Sequence, residues 1–264
     1  MPVVPNHARH RLEEGKLSLG IGLRQARTTD IAEIAQACGF DWLFLDLEHN
    51  AMGIDTAAQI CAAALATGIT PLVRVADGEH ALATRLLDTG AMGIVFPHVN
   101  TAEHAATLVQ ACRFPPLGHR SVPGMLPQSR FRPMPMPELI EAVNRETLVV
   151  AMLETPEAIG NADAIAAVPG IDVLLVGTSD LAAEMGIPGD LGHRRIGEAV
   201  QHAVEACRRQ GKHPGIGGVY DHGVMQRYID LGARFVLSGS DLAFLIAGAR
   251  ARTDFLRGLI PAGT

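Results

Sequence analysis

The stretch Gly39-Phe40-Asp41-Trp42-Leu43-Phe44-Leu45-Asp46-Leu47-Glu48-His49-Asn50 contains, in order, a turn glycine, a short apolar run and a cluster of charged side chains. The run from Trp42 to Leu45 is too short for a helix and apolar throughout, which is typical of a parallel strand buried on both faces. It ends abruptly at Asp46, Glu48 and His49. Because unpaired charges are costly to bury, their position at a strand end indicates either solvent exposure or a function.

The same order of features recurs along the chain. Glycines that follow a helical pattern and precede an apolar run stand at positions 39, 68, 90, 170 and 232. Glycine accepts the left-handed conformation that often ends a helix, so these positions predict helix-to-strand turns. Counting in this way predicts strands at 17–23, 42–46, 70–75, 92–96, 148–153, 172–176, 213–217 and 234–237.

Strands that alternate with helices predict right-handed parallel crossovers, and eight such units can close into a barrel. The predicted fold is therefore α/β, a (β/α)8 TIM barrel forming a single domain over residues 1–264. An open doubly wound sheet is the alternative, but no G-x-G-x-x-G fingerprint follows an early strand. The connection at 112–147 is unusually long, which predicts an active-site loop that ends in a short helix at 137–144.

Composition disfavours several classes of partner. The chain has 22 Lys and Arg against 28 Asp and Glu, a formal net charge of −6, with no long basic cluster, so we expect no nucleic-acid partner. No apolar run approaches membrane-spanning length, and residues 1–16 lack the apolar core of a secretory signal. We therefore expect a cytoplasmic protein with no membrane partner. The four cysteines stand far apart, which predicts small packing residues.

Other predicted strands also end in polar side chains. Arg74, Glu154 and the segment Gly177-Thr178-Ser179-Asp180 each follow an apolar run directly. Because the carboxyl ends of barrel strands form one face, where barrel enzymes place their active sites, we expect these residues to converge with residues 46–49. The segment opens a helix, so its backbone N–H groups could hold a substrate carboxylate. For a similar segment, Ser238-Gly239-Ser240-Asp241, helix capping is a sufficient explanation.

Two interpretations are open for Glu154 and Asp180. The two carboxylates would repel each other unless a cation lay between them, so they could hold Mg²⁺, Mn²⁺ or Co²⁺ and leave positions for a chelating substrate. Alternatively, Glu154 is a first-turn acid and Asp180 is a helix N-cap.

The roles of His49 and Arg74 are equally open from the residues alone. Because the imidazole group ordinarily titrates near neutrality, His49 could be a general base, a metal ligand or a polar loop residue. Its ring could be oriented by Asp46, Glu48 or Asp88. Arg74 could bind a carboxylate or a developing enolate oxygen, or it could form a structural ion pair with one of these acids.

Five motifs, in order, resemble the HpcH/HpaI aldolase family of class II, metal-dependent pyruvate aldolases. These are residues 40–49, 71–75, 87–91, 153–155 and 176–181. The resemblance implies a carbon–carbon lyase that cleaves 4-hydroxy-2-oxo acids reversibly into pyruvate, or hydroxypyruvate, and an aldehyde. It implies that Glu154 and Asp180 bind the divalent cation, and that the amides of Gly177, Thr178 and Ser179 hold the pyruvyl carboxylate.

The resemblance also implies roles for the remaining polar residues. His49 and Asp88 would form an acid/base dyad, Arg74 would stabilise the enolate, and Asp46 would help to position His49. Residues 116–120 lie where relatives carry a Gly-x-Arg-Gly segment near the site.

Two departures from the family pattern stand out. Many relatives have glutamine at the position of Met152, so a polar contact to metal-bound water is lost here. Relatives often have Gly-Pro-Ala-Asp where this chain has Gly177-Thr178-Ser179-Asp180, a change that backbone contacts should tolerate. The only lysines are Lys16 and Lys212, and neither ends a strand, which disfavours a Schiff-base route.

Alternatives from neighbouring classes are a related carbon–carbon lyase, such as an oxaloacetate decarboxylase or a citramalyl/malyl-CoA lyase, or a non-catalytic barrel that binds a keto acid. The last predicted helix, 241–259, is apolar on more than one face and predicts a homo-oligomer. The family resemblance suggests a hexamer in which the C-terminal helices are exchanged between subunits.

Overall fold

A computed structural model describes residues 3–259, with the backbone alone at position 238. Eight parallel strands form a closed barrel in sequential order, in which β8 pairs with β1. The predicted TIM barrel is confirmed, and the strand bounds differ from the predicted ones by a few residues at most. The strands are β1 Ser18–Leu23, β2 Trp42–Asp46, β3 Thr70–Arg74, β4 Gly93–Phe96, β5 Leu148–Leu153, β6 Val173–Gly177, β7 His213–Gly217 and β8 Phe235–Ser240.

Helices surround the barrel, and α1 lies across its amino-terminal end, where Ala8 and Leu12 pack onto the interior cluster. All five glycines predicted at helix-to-strand turns have positive φ. The helices are α1 His7–Glu13, α2 Ile31–Ala37, α3 Ile54–Thr67, α4 His80–Asp88, α5 Ala102–Cys112, α6 Met136–Glu146, α7 Pro156–Gly160, α8 Ala162–Ala167, α9 Thr178–Glu184, α10 Arg194–Gln210, α11 His222–Leu231 and α12 Asp241–Arg257.

Side chains of each strand alternate between the barrel interior and the surrounding helices. On β2, Trp42 and Phe44 belong to the interior cluster, whereas Leu43 and Leu45 pack with the helices. This alternation follows from the two-residue period of a strand, and it makes Asp46 the next inward position. The same count assigns inward positions to the polar or small residues that end other strands, namely Arg74 on β3, Glu154 after β5 and Gly177 on β6.

The long connection between α5 and β5 lies at the amino-terminal end of the barrel. In a βα barrel each helix returns the chain to the start of the next strand, so residues 113–147 are at the end opposite the strand termini. Gln128 confirms this placement, because its side-chain amide donates to the carbonyls of Leu87 and Ala91, just before β4. The predicted short helix is present as α6. Within one chain this connection does not reach the strand termini, so the active-site loop remains a prediction that requires a second copy of the chain.

Helix α12 exposes several large apolar side chains. None of the described side chains of this helix is buried, and large apolar ones are exposed at positions 244, 245, 246, 255 and 256. Exchange of this helix between subunits remains a prediction. Among residues 3–259, no helix has the length and apolar character needed to cross a membrane.

Candidate active site

The carboxyl-terminal end of the barrel contains a cavity of about 180 Å³. Its floor consists of the inward side chains of Phe44, Met152, Leu175 and Leu237. Of the charged side chains above this floor, Arg74 and Glu154 are buried. The remaining lining residues are polar or small: Arg24, His49, Arg74, Glu154, Gly177, Thr178, Ser179, Asp180, Gly217, Gly218 and Tyr220. The structure thus brings together most of the predicted site residues.

Asp46 and Arg74 form a buried bidentate ion pair on neighbouring strands. Arg74 Nε and Nη2 donate to the two carboxylate oxygens of Asp46 at 3.0 and 2.7 Å, and the side chains are 7% and 1% exposed. Burial alone would raise the pKa of Asp46, but the hydrogen bonds and charge of Arg74 lower it overall. The predicted structural ion pair is therefore present, and it fixes the guanidinium at the cavity wall.

Asp46 contacts His49 through the main chain. Its Oδ1 accepts the backbone N–H groups of Glu48 and His49, both at 3.1 Å. The His49 ring is 58% exposed, and its Nε2 lies 3.7 Å from Glu48 Oε2. That oxygen also lies 2.9 Å from Arg74 Nη1. Glu48 is thus the carboxylate beside the His49 ring in the described part of the chain, and this ring lines the cavity.

Glu154 is almost completely buried just beyond β5. Its Oε2 accepts the backbone N–H of His98 at 2.9 Å, and the ring Nδ1 of His98 lies 3.3 Å away. Burial raises the pKa of Glu154 above its ordinary value, the His98 N–H opposes this rise, and the negative charge of Asp180 adds to it. A positive charge near these oxygens would stabilise the ionised carboxylate.

Gly177 leaves room for the Glu154 carboxylate. A Cβ atom at this position would lie 2.7 Å from both Cγ and Oε1 of Glu154, closer than van der Waals contact permits. Glycine at the end of β6 therefore allows the Glu154 carboxylate to approach the backbone of β6 closely. Any side chain here would displace it.

Neither Glu154 nor Asp180 is a helix N-cap. The side chain of Thr155 caps α7, and Gly177 occupies the N-cap position of α9, with Asp180 in the first turn of that helix. Glu154 therefore precedes the N-cap of α7 and is not a first-turn acid, and Asp180 is a first-turn acid of α9 but not its N-cap. Hard oxygen donors beside an apolar floor suit Mg²⁺, Mn²⁺ or Co²⁺. No group of three or more His, Cys, Asp or Glu side chains suited to a metal occurs within residues 3–259, so substrate and water oxygens would complete the coordination.

The first turn of α9 offers backbone donors to the cavity. Thr178 is buried, and its hydroxyl donates to the carbonyl of Gly217 at 2.8 Å, which ties the start of α9 to β7. Ser179 is exposed and lines the cavity. The first N–H groups of a helix have no partner inside it, and they favour an anion. The predicted carboxylate contact with residues 177–179 is compatible with this geometry.

Asp88 does not lie at this cavity. It is the last residue of α4 and precedes β4, so it lies at the amino-terminal end of the barrel. There its Oδ1 accepts Nη2 of the buried Arg120 at 2.7 Å. A single chain does not bring Asp88 to His49, and the predicted dyad requires a second copy of the chain.

Sequence reasoning assigned no role to His98 or Arg24. His98 follows β4 as other polar residues follow their strands, and its φ of 53° is unusual for a residue with a side chain. Arg24 is the next inward position after Gly20 and Gly22 on β1. Continuing the two-residue alternation beyond each predicted strand would have found Arg24, whereas no local pattern signals the backbone conformation of His98.

The sequence and the fold of the chain are similar to those of known proteins. The family model described as HpcH/HpaI aldolase/citrate lyase matches residues 24–247. The chain belongs to this family. It is 39% identical to a 4-hydroxy-4-methyl-2-oxoglutarate aldolase of Hapsidospora irregularis over 94% of both chains, and 35% identical to a hydroxypyruvate/pyruvate aldolase of Pseudomonas aeruginosa over 99% of this chain and 97% of that one.

Solved structures of the family share the barrel. An HpcH/HpaI aldolase from Desulfitobacterium hafniense superposes with a TM-score of 0.91 at 29% identity, covering 97% of this chain and 98% of that one. Together with the sequence relatives, this similarity confirms the predicted family. It also confirms the predicted class of enzyme, a carbon–carbon lyase of the aldolase type.

Proposed function

We propose that this HpcH/HpaI family member reversibly cleaves 4-hydroxy-2-oxo acids into pyruvate, or hydroxypyruvate, and an aldehyde. The observation that carries the proposal is the cavity in which the Glu154–Asp180 pair faces an arginine fixed by a buried carboxylate. The names of the aldolase relatives support the same reaction.

Glu154 and Asp180 would hold a divalent cation, and the substrate would complete its coordination. When bound, the cation would polarise the 2-oxo group as a Lewis acid. Ser179 and the first amides of α9 would bind the carboxylate next to that group. These contacts would orient the substrate with its reacting carbons above the apolar floor.

Arg74 and His49 would carry the charge and proton movements. In the cleavage direction a base removes the proton of the 4-hydroxyl group, the C3–C4 bond breaks, the aldehyde leaves, and the electron pair forms an enolate of pyruvate. His49 has an exposed ring at the cavity and is the proposed base. Arg74, held rigidly by Asp46, would stabilise the enolate oxygen, and protonation at C3 would complete the turnover.

Metal removal tests this function directly. Dialysis against EDTA is expected to abolish pyruvate release from a 4-hydroxy-2-oxo acid, and Mg²⁺, Mn²⁺ or Co²⁺ should restore it. Release would be followed by NADH oxidation with lactate dehydrogenase. Thermal unfolding of the stripped protein serves as the control for loss of fold. Full activity after complete metal removal would contradict the proposed role of Glu154 and Asp180.

The proposal includes a homo-oligomer, in the form of a hexamer. The exposed apolar surface of α12 and the distance of Asp88 from the cavity of its own chain support assembly. In an oligomer, Asp88 of one copy could pair with His49 of another. Light scattering is expected to give about six times the chain mass, and a monomer would contradict both the assembly and the dyad. A cytoplasmic location is part of the same proposal.

A further inference from the structure

Arg24 places a second guanidinium at the mouth of the cavity. It directly follows β1, at the inward position after Gly20 and Gly22, and it lines the cavity together with Arg74. Its side chain is 45% exposed, whereas that of Arg74 is 7% exposed. The two arginines therefore differ in availability: one is held by protein, and the other faces open space.

Arg24 approaches the carboxylate of Asp46, which already accepts hydrogen bonds from other groups. Its Nη2 lies 3.5 Å from Asp46 Oδ2, beyond the usual range of a charge-assisted hydrogen bond. That carboxylate already accepts two hydrogen bonds from Arg74 and two backbone N–H groups. Within residues 3–259, the Arg24 guanidinium makes no hydrogen bond that would compete with a ligand. An anion in the cavity could accept from these donors without breaking a hydrogen bond of the protein, and at most the 3.5 Å ion pair with Asp46 would lengthen.

The loop that carries Arg24 is held rigidly. The carboxylate of Asp241, the first residue of α12, accepts the backbone N–H groups of Arg24, Gln25 and Ala26 at 2.8, 2.9 and 2.7 Å. Arg27 donates to the carbonyls of Arg24 and Ala26 at 3.1 and 2.9 Å. A side chain on a backbone fixed in this way loses less entropy when it binds a ligand.

Arg24 lies across the mouth from the residues that would hold the 2-oxo acid end. In a closed barrel of eight strands, β1 and β5 are opposite, so Arg24 and Glu154 lie on opposite walls. A substrate whose C1 carboxylate and 2-oxo group lie near Glu154 and Ser179 extends its far end towards Arg24. A guanidinium at that end matches a carboxylate.

We propose that Arg24 is a specificity-determining residue that binds a second carboxylate of the substrate. The preferred substrates are then 4-hydroxy-2-oxo dicarboxylic acids, and the aldehyde or ketone released on cleavage carries a carboxylate of its own. This inference rests on the proposed aldolase function. The Hapsidospora relative, named for a substituted oxoglutarate, is consistent with it.

The test compares two substrates that differ at the far carboxylate. Cleavage of 4-hydroxy-4-methyl-2-oxoglutarate and of 4-hydroxy-2-oxopentanoate would be measured for the wild type, Arg24→Gln and Arg24→Lys. For the diacid, Arg24→Gln is expected to lower kcat/KM by about 10- to 100-fold, mainly through KM, because a hydrogen-bonded charge pair is lost. For the monoacid the change should stay below about 3-fold, and Arg24→Lys should fall between.

Arg208→Gln is the matched control. Arg208 is exposed on α10, so this variant loses the same charge far from the cavity and should keep the wild-type preference. Equal losses of kcat/KM on both substrates, or no loss on the diacid, would overturn the role of Arg24 and leave the aldolase function standing. A wild-type enzyme that cleaves the monoacid but not the diacid would also overturn it. Failure of the metal-loaded wild type to cleave either substrate would reject the aldolase function and this inference together.

Discussion

Glu154→Gln is expected to weaken Mn²⁺ binding by at least about 100-fold and to reduce turnover below detection at moderate metal concentration. Loss of a residue that merely orients a metal ligand already costs about 10- to 100-fold in affinity, so loss of a ligand itself should cost at least the upper value. The amide keeps the size of the side chain and its contact with the His98 N–H. Titration of free Mn²⁺ by electron paramagnetic resonance measures the affinity without relying on activity.

The stability of the metal-free protein separates this role from a structural one. The raised pKa of Glu154 means that its charged form is disfavoured in the folded state. A neutral glutamine should therefore leave the metal-free protein at least as stable as the wild type at neutral pH. Glu157→Gln, an exposed acid in the first turn of α7, is the control and should change neither property. Mn²⁺ affinity of wild-type strength in Glu154→Gln would remove Glu154 from the site.

Asp46→Ala should destabilise the protein by about 3–5 kcal/mol, because the buried guanidinium of Arg74 loses its bidentate partner and keeps the Glu48 carboxylate at one of its nitrogens. Urea unfolding measures the change, with the slope of the free energy of unfolding against urea concentration kept equal for the variant and the wild type. Turnover should fall as well, since Arg74 loses both hydrogen bonds that fix it at the cavity wall. Asp55→Ala, at an exposed acid in the first turn of α3, should stay within about 0.5 kcal/mol of the wild type.

Two further measurements examine the same ion pair. Arg74→Met in the Asp46→Ala background removes the guanidinium that has lost its bidentate partner and should recover part of the lost stability without recovering turnover. Because the pKa of Asp46 is lowered in the folded state, its stabilisation is complete above the ordinary pKa of an aspartate and is lost as the pH falls through the lowered value. As the pH falls through this range, the free energy of unfolding of Asp46→Ala should therefore decrease less than that of the wild type. Wild-type stability in Asp46→Ala would contradict a stabilising role of the buried Asp46–Arg74 ion pair.

The barrel and the inward residues could be predicted because each strand obeys a two-residue period. Apolar runs that end in one charged residue located Asp46, Arg74 and Glu154 correctly at the strand termini. The sequence prediction for Asp88 did not take into account the direction in which its helix runs. As the last residue of a helix that runs back from the site, it had to lie at the other end of the barrel, and the same reasoning moves residues 113–147 away from the cavity.

Other parts of the site depend on contacts between distant segments. The capping pattern around Ser240 was recognised correctly, since its hydroxyl accepts the N–H of Ala243. The neighbouring Asp241 instead uses its carboxylate on backbone groups more than two hundred residues earlier. His98 reaches Glu154 through a backbone conformation that its side chain does not specify. Such contacts exist only once the barrel has closed.

The contact of Asp241 with residues 24–26 has a consequence for folding. It crosses the seam at which β8, the last strand, meets β1, the first strand. These strands are the most distant in the chain to be paired, so their closure carries the largest loop entropy in the barrel. The hydrogen bonds between Asp241 and residues 24–26 lie at the rim of the cavity. A folding intermediate in which β8 has not yet paired with β1 therefore has no ordered Arg24. Recovery of catalysis during refolding should therefore report the final closure of the barrel.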